Sequence, residues 1–263
     1  MPRVVALYRY PVKGFTPEPC TALTVLPEGR VAGDRVLAFR FANAPVADEQ
    51  WCRKYEGIVL ANTPGLARLT TRFDPLELRL KMTLGSQVLA DEALDDAGRA
   101  RLVEALTAYV SGLGEHPLRN HPGRLPLKLV GNGITPRYQD NEAGQVTLHS
   151  RETITSAAAA LRDPKLSEHR FRHNIVIEGA GAWKELSWLG RGIRIGDVEF
   201  DVVKSKVRCL ATHANPVTGE RDLQVMQQLM RAFAQNEPVL GIGMLTRGNG
   251  GEIRVGDSVS VPA

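Results

Sequence analysis

The chain has 263 residues, of which 43% are hydrophobic and 24% are charged, with a formal net charge of +4 and a pI near 9.1. This length and apolar content suffice for one large or two moderate globular domains, which excludes a largely disordered chain. The positive charge is spread without a dense lysine or arginine run. This argues against nucleic-acid binding and favours an anionic small ligand.

Cysteine usage and the chain start give expectations about compartment and redox partners. The three cysteines, Cys20, Cys52 and Cys209, contain no Cys-x-x-Cys pair, and any disulfide would leave one over. We therefore expect a reducing compartment. Three scattered thiols cannot supply an ordinary iron–sulfur cluster, so an electron donor would be a separate protein or a small reductant. The chain start resembles no signal peptide and no run reaches membrane-span length, which predicts a cytoplasmic protein without membrane contact.

The first half of the chain shows mostly short β-type runs. β-branched or alternating segments, separated by proline and glycine, predict strands at residues 4–8, 21–26, 36–41 and 76–80. A small barrel or sandwich follows from this pattern. Residues 95–112 then change period, since Leu102, Leu106 and Val110 recur at helical spacing, and Asp95 suits the N-terminal end of the helix dipole.

A stretch rich in proline, glycine, histidine and arginine, residues 116–126, marks the predicted junction between two domains, 1–118 and 119–263. The second half resumes strands at residues 128–130, 146–148 and 174–178. Helices are predicted at 150–161, with Ser150 as the cap, and at 223–233. A repeated strand, Gly-Asp turn and strand pattern predicts hairpins at 192–203 and 252–261. The fold class is α+β, mostly antiparallel β.

Cys209 is the main candidate for a functional residue. It follows Arg208 at the end of a strand-like run and opens a polar, turn-rich loop that contains Asn215, Pro216 and Gly219. A lone thiolate on such a loop is a suitable ligand for a soft metal. The alternative for an isolated cysteine is a free thiol packed as a small hydrophobe. His213 also raises the alternative of a Cys–His nucleophilic pair, although a solvated loop histidine is the simpler interpretation.

Several short motifs occur in an order that is typical of one family. The Arg208-Cys209 pair, the 215–219 turn and the closing 253–257 segment resemble the MOSC domain. Upstream, the 10–14 segment (Tyr-Pro-Val-Lys-Gly), the 33–35 segment (Gly-Asp-Arg) and the 171–175 segment (Phe-Arg-His-Asn-Ile) resemble the amidoxime-reducing branch of that family, in which an N-terminal barrel precedes MOSC. The resemblance covers nearly the whole chain. It implies an N-terminal β-barrel-like domain packed on a MOSC β-barrel, with a cofactor between them.

The resemblance also implies a molybdenum–molybdopterin cofactor, the metal of which is bound by Cys209. Such a cofactor carries a phosphate and a polar ring system, which need cationic and hydrogen-bonding groups. The motif positions predict these cofactor-binding residues: Lys13, Arg35, Ser150, Thr153, Arg172, Asn174 and Arg208. Ser150 and Thr153 qualify because free N–H groups at a helix start favour phosphate. Helix capping explains Ser150 equally well, and the charged residues each have an ordinary surface or ion-pair interpretation.

Three residues depart from the family pattern. Gly14 and Val207 stand where serine is common in relatives, and His173 stands where proline is common. The first two departures remove hydroxyl groups that could contact the cofactor, so its affinity or the substrate range could differ from that of relatives.

The activity that the resemblance implies is a two-electron reduction of a small N-hydroxylated or N-oxide substrate, with electrons from a separate donor protein. One alternative is a non-enzymatic carrier of the molybdenum cofactor, or of sulfur on Cys209. A third interpretation is a metal-free β-barrel module that binds an acidic partner. The six histidines lack paired ligand spacing, and no hydrolase or Walker motif occurs, so zinc, hydrolase and nucleotide-binding functions are not predicted.

Overall fold

The computed structural model describes residues 1–262, which fold as fifteen mostly antiparallel strands and three α-helices. The strands are β1 (Arg3–Arg9), β2 (Glu18–Cys20), β3 (Ala22–Val25), β4 (Ala38–Arg40), β5 (Leu69–Asp74), β6 (Arg79–Leu84), β7 (Gln87–Ala93), β8 (Lys128–Val130), β9 (Val146–Ser150), β10 (Ile175–Glu178), β11 (Gly192–Ile195), β12 (Val198–Val207), β13 (Val239–Arg247), β14 (Gly251–Arg254) and β15 (Val259–Ser260). The helices are α1 (Asp96–Ser111), α2 (Arg151–Leu161) and α3 (Val225–Ala232). Short 3-10 helices cover Lys54–Glu56, Pro64–Arg68, Pro122–Arg124, Glu168–Phe171, Lys184–Trp188 and Leu210–His213.

The largest sheet contains strands from both ends of the chain. Its order is β15-β11-β12-β13-β9-β10-β1-β2, and all neighbours are antiparallel except β9 and β10. In this sheet Leu7 of β1 lies opposite Ile175 of β10 on one side and Cys20 of β2 on the other. A bridge between Arg3 and Ser258 also joins β1 to the segment before β15. The N-terminal strands therefore extend the sheet of the second half.

Alternation along these strands places one face of the sheet in a shared apolar core. Leu148 of β9, Ile175 of β10, Phe200 of β12 and Ile242 of β13 are all fully buried there. Leu7 from β1 joins the same core. Because side chains alternate across a strand, the opposite positions are free to face helices, solvent or a binding site.

The first half has a second core, built by a three-stranded sheet and α1. Strands β5, β6 and β7 form an antiparallel meander, and β4 pairs with β8 nearby. Asp95 caps α1 by accepting a hydrogen bond from the Gly98 N–H at 2.7 Å, which satisfies one free donor at the helix start. Leu102, Leu106 and Val110 form the buried stripe of this helix.

Most elements predicted from the sequence are confirmed. The three helices, the strands at residues 4–8, 21–26, 36–41, 128–130, 146–148 and 174–178, and the 192–203 hairpin all occur, with ends that differ by a few residues. The mostly antiparallel α+β class is confirmed as well.

The strand predicted at residues 76–80 is wrong. Residues 75–78 form a turn, Leu76 is 91% exposed, and Leu78 adopts a left-handed backbone with φ 47°. The strand starts at Arg79, where Leu80 and Met82 alternate into the first core. The leucines of the turn resemble strand residues by composition alone.

The hairpin predicted at residues 252–261 is also wrong. β14 pairs with β3 from the N-terminal part, whereas β15 pairs with β11 in the large sheet. The turn at Gly256 and Asp257 thus moves the chain between two sheets, although its residues match those of the true hairpin turn at Gly196 and Asp197. Closed barrels and the domain boundary at 118/119 remain predictions. The longest helix in the described residues, α1, has 16 residues, and no helix there combines the length and apolar character of a membrane span.

The strand pairing predicts that residues 119–263 alone lack a complete core. This fragment loses β1 from the edge of β10 and loses Leu7 and Leu23 from the core of the large sheet. We expect no cooperative thermal unfolding transition for it, and recovery of one when residues 1–118 are co-expressed. Circular dichroism melts of fragment, pair and full chain provide the measurement. A fragment that melts cooperatively at the temperature of the full chain would contradict this expectation.

Candidate cofactor cleft

A strongly cationic cleft opens beside Cys209. It has a volume of about 90 Å³, and its walls come from both halves of the chain. The lysines and arginines that line it are Lys13, Arg35, Lys54, Arg172, Lys206 and Arg208. Asp140 is the one carboxylate among the lining residues. Six cations against one anion make the cleft a site for an anionic ligand.

Cys209 lies where β12 ends and the 3-10 helix Leu210–His213 begins. Its carbonyl oxygen accepts hydrogen bonds from the Thr212 N–H and Oγ1, each at 2.9 Å, which fixes the turn. The half-exposed side chain lines the cleft. Burial lowers the pKa of Lys54, but Cys209 and Asp140 outweigh it and raise that pKa overall. The thiol therefore lies next to an ammonium group, within reach of a ligand in the cleft.

Two guanidinium groups lie against the ring of Tyr10. The Cζ atoms of Arg35 and Arg172 are 4.6 and 4.5 Å from the ring centroid, and both residues adopt left-handed backbone conformations, φ 51° and 56°. Arg35 Nη1 also donates to Asp34 Oδ2 at 2.5 Å, and Arg172 donates to the carbonyl of Phe15. Burial raises the pKa of Tyr10 to about 12, so its phenol stays neutral. The ring holds both arginines in place before any ligand binds.

Lys13 and Gly14 form another wall of the cleft. Lys13 is only 7% exposed, and its Nζ donates to the Gln139 carbonyl at 3.3 Å and lies 3.6 Å from Asp140 Oδ1. Burial lowers the pKa of this lysine although Asp140 opposes the shift. Gly14 has φ +87°, and a Cβ atom there would lie 2.7 Å from Val59 Cα. A serine at position 14 would therefore be strained, which explains one of the three departures.

Lys206 and Arg208 occupy alternate positions at the end of β12, so both reach the cleft. Lys206 Nζ donates to Gln145 Oε1 at 3.2 Å. Burial, with the charge of Arg208, lowers the pKa of Lys206 to about 8. Arg208 donates to the Phe171 carbonyl at 2.5 Å, while its buried Nε has no partner among residues 1–262. Val207 between them is 45% exposed and does not line the cleft, so a hydroxyl at that position would not alter the cleft walls.

Arg208 forms a hydrogen bond with the first of two buried histidines, His173 and His149. Its Nη1 is 3.2 Å from His173 Nε2, and His173 Nδ1 is 2.7 Å from His149 Nδ1. A guanidinium can only donate, so His173 Nε2 accepts and its proton resides on Nδ1. His149 then accepts at Nδ1 and carries its proton on Nε2. Burial, and then Arg208, lowers the pKa of His149 to about 3 and that of His173 well below its usual value.

Asn174 lies behind the cleft, because its side chain is fully used in hydrogen bonds. Its Nδ2 donates to the Tyr8 carbonyl at 3.2 Å and to Asp34 Oδ1 at 3.3 Å. Its Oδ1 accepts from Thr147 Oγ1 at 3.0 Å. Asn174 thus joins β1, the Asp34 turn and β9, and it is absent from the cleft walls. A direct cofactor contact for this residue remains a prediction that the observed bonding does not favour.

Ser150 and Thr153 form a closed helix cap outside the cleft. Ser150 Oγ accepts from the Thr153 N–H at 3.1 Å, as the capping interpretation predicts. The carboxylate of Glu185 accepts from Thr153 Oγ1 at 2.9 Å and from the Ser150 N–H at 3.3 Å. Both residues are fully buried. The Glu185 carboxyl group thus already occupies this helix start, and neither Ser150 nor Thr153 lines the cleft.

The structure therefore brings five of the predicted residues to one cleft and leaves three outside it. Those at the cleft are Lys13, Arg35, Arg172, Arg208 and Cys209. Lys54, Lys206 and Asp140 were missed by sequence reasoning. Strand alternation predicts that Lys206, two residues before Arg208, faces the same side. Lys54 starts a short 3-10 helix and Asp140 lies on a loop, and neither residue belongs to a motif.

His213 forms no pair with Cys209. Its ring is 5% exposed, and its Nε2 accepts from the Met226 N–H at 3.3 Å, at the start of α3. This arrangement does not favour the Cys–His nucleophile. Among residues 1–262, no group of three or more His, Cys, Asp or Glu side chains could hold a metal ion. A metal in the cleft would rest on Cys209 alone, which fits a cofactor that brings its own ligands.

The comparison with protein families agrees with the position of this cleft. Residues 135–260 match the family model of the MOSC domain. This part of the chain is similar to the MOSC domain. The matched range contains Arg172, Lys206, Arg208 and Cys209, while Lys13 and Arg35 precede it. The cationic walls are thus formed by residues of the matched range together with residues that lie before it.

Among curated proteins, three relatives are similar to parts of the chain. Mitochondrial amidoxime-reducing component 1 of Mus musculus is 35% identical over 99 residues, which cover 34% of this chain and 28% of that protein. Its counterpart in Homo sapiens is 33% identical over 76 residues, with coverages of 29% and 22%. Mitochondrial amidoxime reducing component 2 of Rattus norvegicus is 31% identical over 135 residues, with coverages of 48% and 36%. The chain thus matches no more than 36% of these relatives' length.

Solved structures show more distant likeness. The YUAD protein of Bacillus subtilis aligns with a TM-score of 0.46 and 12% identity, over 99% of this chain and 96% of that one. YiiM from Geobacillus stearothermophilus aligns with a TM-score of 0.33 and 12% identity, over 45% of this chain and 54% of that one.

The hydrogen bonds that link Arg208, His173 and His149 predict the proton positions on the two histidines. We expect His173 to carry its proton on Nδ1 and His149 on Nε2, with neither ring titrating between about pH 6 and 8. Long-range ¹H–¹⁵N correlation spectra of ¹⁵N-histidine protein measure both.

Arg208→Met should allow the His173 proton to occupy Nε2 as well as Nδ1. Arg231→Met, at an exposed position on α3, should leave the proton on Nδ1. A proton on His173 Nε2 in the parent protein would show that Arg208 does not donate to this ring.

Proposed function

We propose that this protein binds a molybdenum–pterin cofactor and reduces small N-hydroxylated substrates with electrons from an external donor. The observation that carries the proposal is the cleft in which the Cys209 thiol lies among six cations and one carboxylate. The MOSC match and the names of the mammalian relatives, amidoxime-reducing components, support the same chemistry.

The residues of the cleft fit this cofactor in three respects. Cys209 offers a soft thiolate donor, which suits molybdenum better than a hard oxygen ligand would. Arg35 and Arg172, held on Tyr10, present guanidinium forks suited to phosphate and polar ring atoms. The buried, unpartnered Nε of Arg208 and Oε1 of Gln139 offer a donor and an acceptor to further polar atoms. When bound, the metal would supply the two-electron redox chemistry.

Reduction of an N-hydroxylated compound consumes two electrons and two protons, and it yields the amine and water. The N–O bond breaks, and the oxygen leaves as water. The cleft residues would neutralise the cofactor phosphate, orient the pterin and hold the substrate near Cys209. The three cysteines are separate free thiols, so the electrons would come from another protein or a small reductant.

Replacement of the thiol tests the ligand assignment. We expect Cys209→Ser to retain the fold, because the side chain is half-exposed at the cleft surface, but to lose molybdenum by about tenfold or more. Metal analysis of protein purified from a host that makes the cofactor measures this, together with a thermal melt.

Cys20→Ser and Cys52→Ser are the matched controls, since both residues are half-buried free thiols outside this cleft. They should keep the parent's molybdenum content. Full metal content and activity in Cys209→Ser would refute the ligand role.

Activity separates the reductase from a cofactor carrier. Purified holoprotein, given an artificial electron donor, should reduce hydroxylamine, and the same preparation of Cys209→Ser should not. A carrier would retain molybdenum and show no reduction. Protein without any molybdenum, from a cofactor-competent host, would instead favour a metal-free binding module.

A further inference from the structure

A second cavity lies on the other side of Arg172, and we infer that it binds the apolar body of an uncharged substrate. This inference rests on the proposed reductase function and specifies the substrate class. The cavity has a volume of about 150 Å³, which is about that of an apolar cavity that holds one benzene ring. It shares Gly14, Leu60 and Arg172 with the cationic cleft, so the two spaces have a common wall.

The cavity lining is mostly apolar, unlike that of the cleft. Its apolar side chains are Phe15, Pro17, Leu60, Ala67, Ala214 and Pro216. Most are buried or half-buried, and they come from the segment after Lys13, the 3-10 helix Pro64–Arg68 and the Cys209 loop. Transfer of an apolar group from water into such a space favours binding, in proportion to the apolar surface area that is removed from water.

Two nitrogen atoms of the lining residues have no hydrogen-bond partner. Arg170 is 2% exposed; its Nη2 pairs with Asp222 at 2.7 and 2.8 Å, but its buried Nε has no acceptor within the described chain. His169 Nδ1 is likewise buried without a partner. Buried polar atoms are nearly always satisfied in folded proteins. Both nitrogen atoms belong to residues that line the cavity, so the cavity is bordered by polar groups as well as apolar ones.

The surrounding charges select the ligand class. A cationic compound would meet Arg170 and Arg172, and Asp222 is already paired with Arg170. An anionic compound would be drawn to the six cations of the cleft rather than to the apolar cavity. An uncharged aromatic or branched body therefore fits best.

The shared wall gives the direction of binding. Gly14, Leu60 and Arg172 border both spaces. A substrate with its ring in the cavity would therefore place its N-hydroxyl group beside these shared residues, next to the cleft that contains Cys209. The chemical class is thus an uncharged N-hydroxylated amine with a ring-sized apolar substituent.

Two compounds test this pocket. N-benzylhydroxylamine carries the ring, and hydroxylamine lacks it. Ala67→Trp should fill the cavity, whereas Ala67→Ser keeps its size and serves as the control. We expect Ala67→Trp to lower the ratio of kcat/KM for N-benzylhydroxylamine to that for hydroxylamine by about tenfold or more. Ala67→Ser should leave that ratio within about twofold of the parent. An unchanged ratio in Ala67→Trp would overturn the assignment.

Direct binding separates this inference from the proposed function. Ligand-observed NMR with cofactor-free protein should detect N-benzylhydroxylamine on the parent and on Ala67→Ser, but not on Ala67→Trp. If the parent reduces neither compound, the reductase proposal fails, while the binding result still decides the pocket. Should Ala67→Trp not fold, Pro216→Trp fills the same cavity from the Cys209 loop. Equal binding to the parent and to a folded filling variant would refute the pocket.

Discussion

The hydrogen bonds of Asn174 join the two halves of the chain directly behind the cleft. Its amide donates to the backbone of β1 at Tyr8 and to the Asp34 carboxylate, and its carbonyl oxygen accepts from Thr147. Asp34 in turn accepts from the Tyr10 N–H at 2.8 Å and pairs with Arg35. One buried amide therefore sets the relative position of the N-terminal strand, the Asp34 turn and the sheet that leads to Cys209.

Concentrating six cations in one cleft costs electrostatic repulsion, and the fold offsets it with neutral acceptors. Carbonyl oxygens of Gln139, Phe15 and Phe171 accept from Lys13, Arg172 and Arg208, and the Tyr10 ring lies under two guanidinium groups. Few carboxylates take part, so most of the positive charge stays available to a ligand. The neutral histidine pair also keeps positive charge available, because His173 accepts a hydrogen bond from Arg208 without cancelling the charge of the guanidinium group.

The sequence predicts the helix starts and the position of the thiol, because helix capping and short motifs depend only on residues that are close in sequence. Asp95 and Ser150 mark helix starts through capping, and the Arg-Cys motif at the end of β12 identifies the thiol of the cleft. Where the observed position of a residue could not be predicted, the cause lies in contacts between distant segments. Ser150 looked like part of a phosphate site because nothing in its surroundings in sequence reveals Glu185, which closes that helix start. Lys54 was missed because only the fold brings its loop next to Cys209.

Two similar strand–turn–strand patterns also form different structures, because their strands pair with different strands. The turns at Gly196 and Gly256 carry the same Gly-Asp pair, yet only the first closes a hairpin, since β14 finds β3 instead. In the same way, the motif of residues 172–174 divides its roles between two sides of the backbone. Arg172 and His173 line the cleft, while Asn174 holds the scaffold behind it.

The central claim is that one cleft, built from both halves of the chain around Cys209, holds a molybdenum cofactor. Anomalous diffraction at the molybdenum edge, from crystals of protein purified from a cofactor-competent host, tests it most directly. We expect one anomalous peak within metal–sulfur bonding distance of Cys209 Sγ, with phosphate density among Lys13, Arg35 and Arg172. A peak elsewhere in the protein, or pterin density away from these cations, would contradict the account.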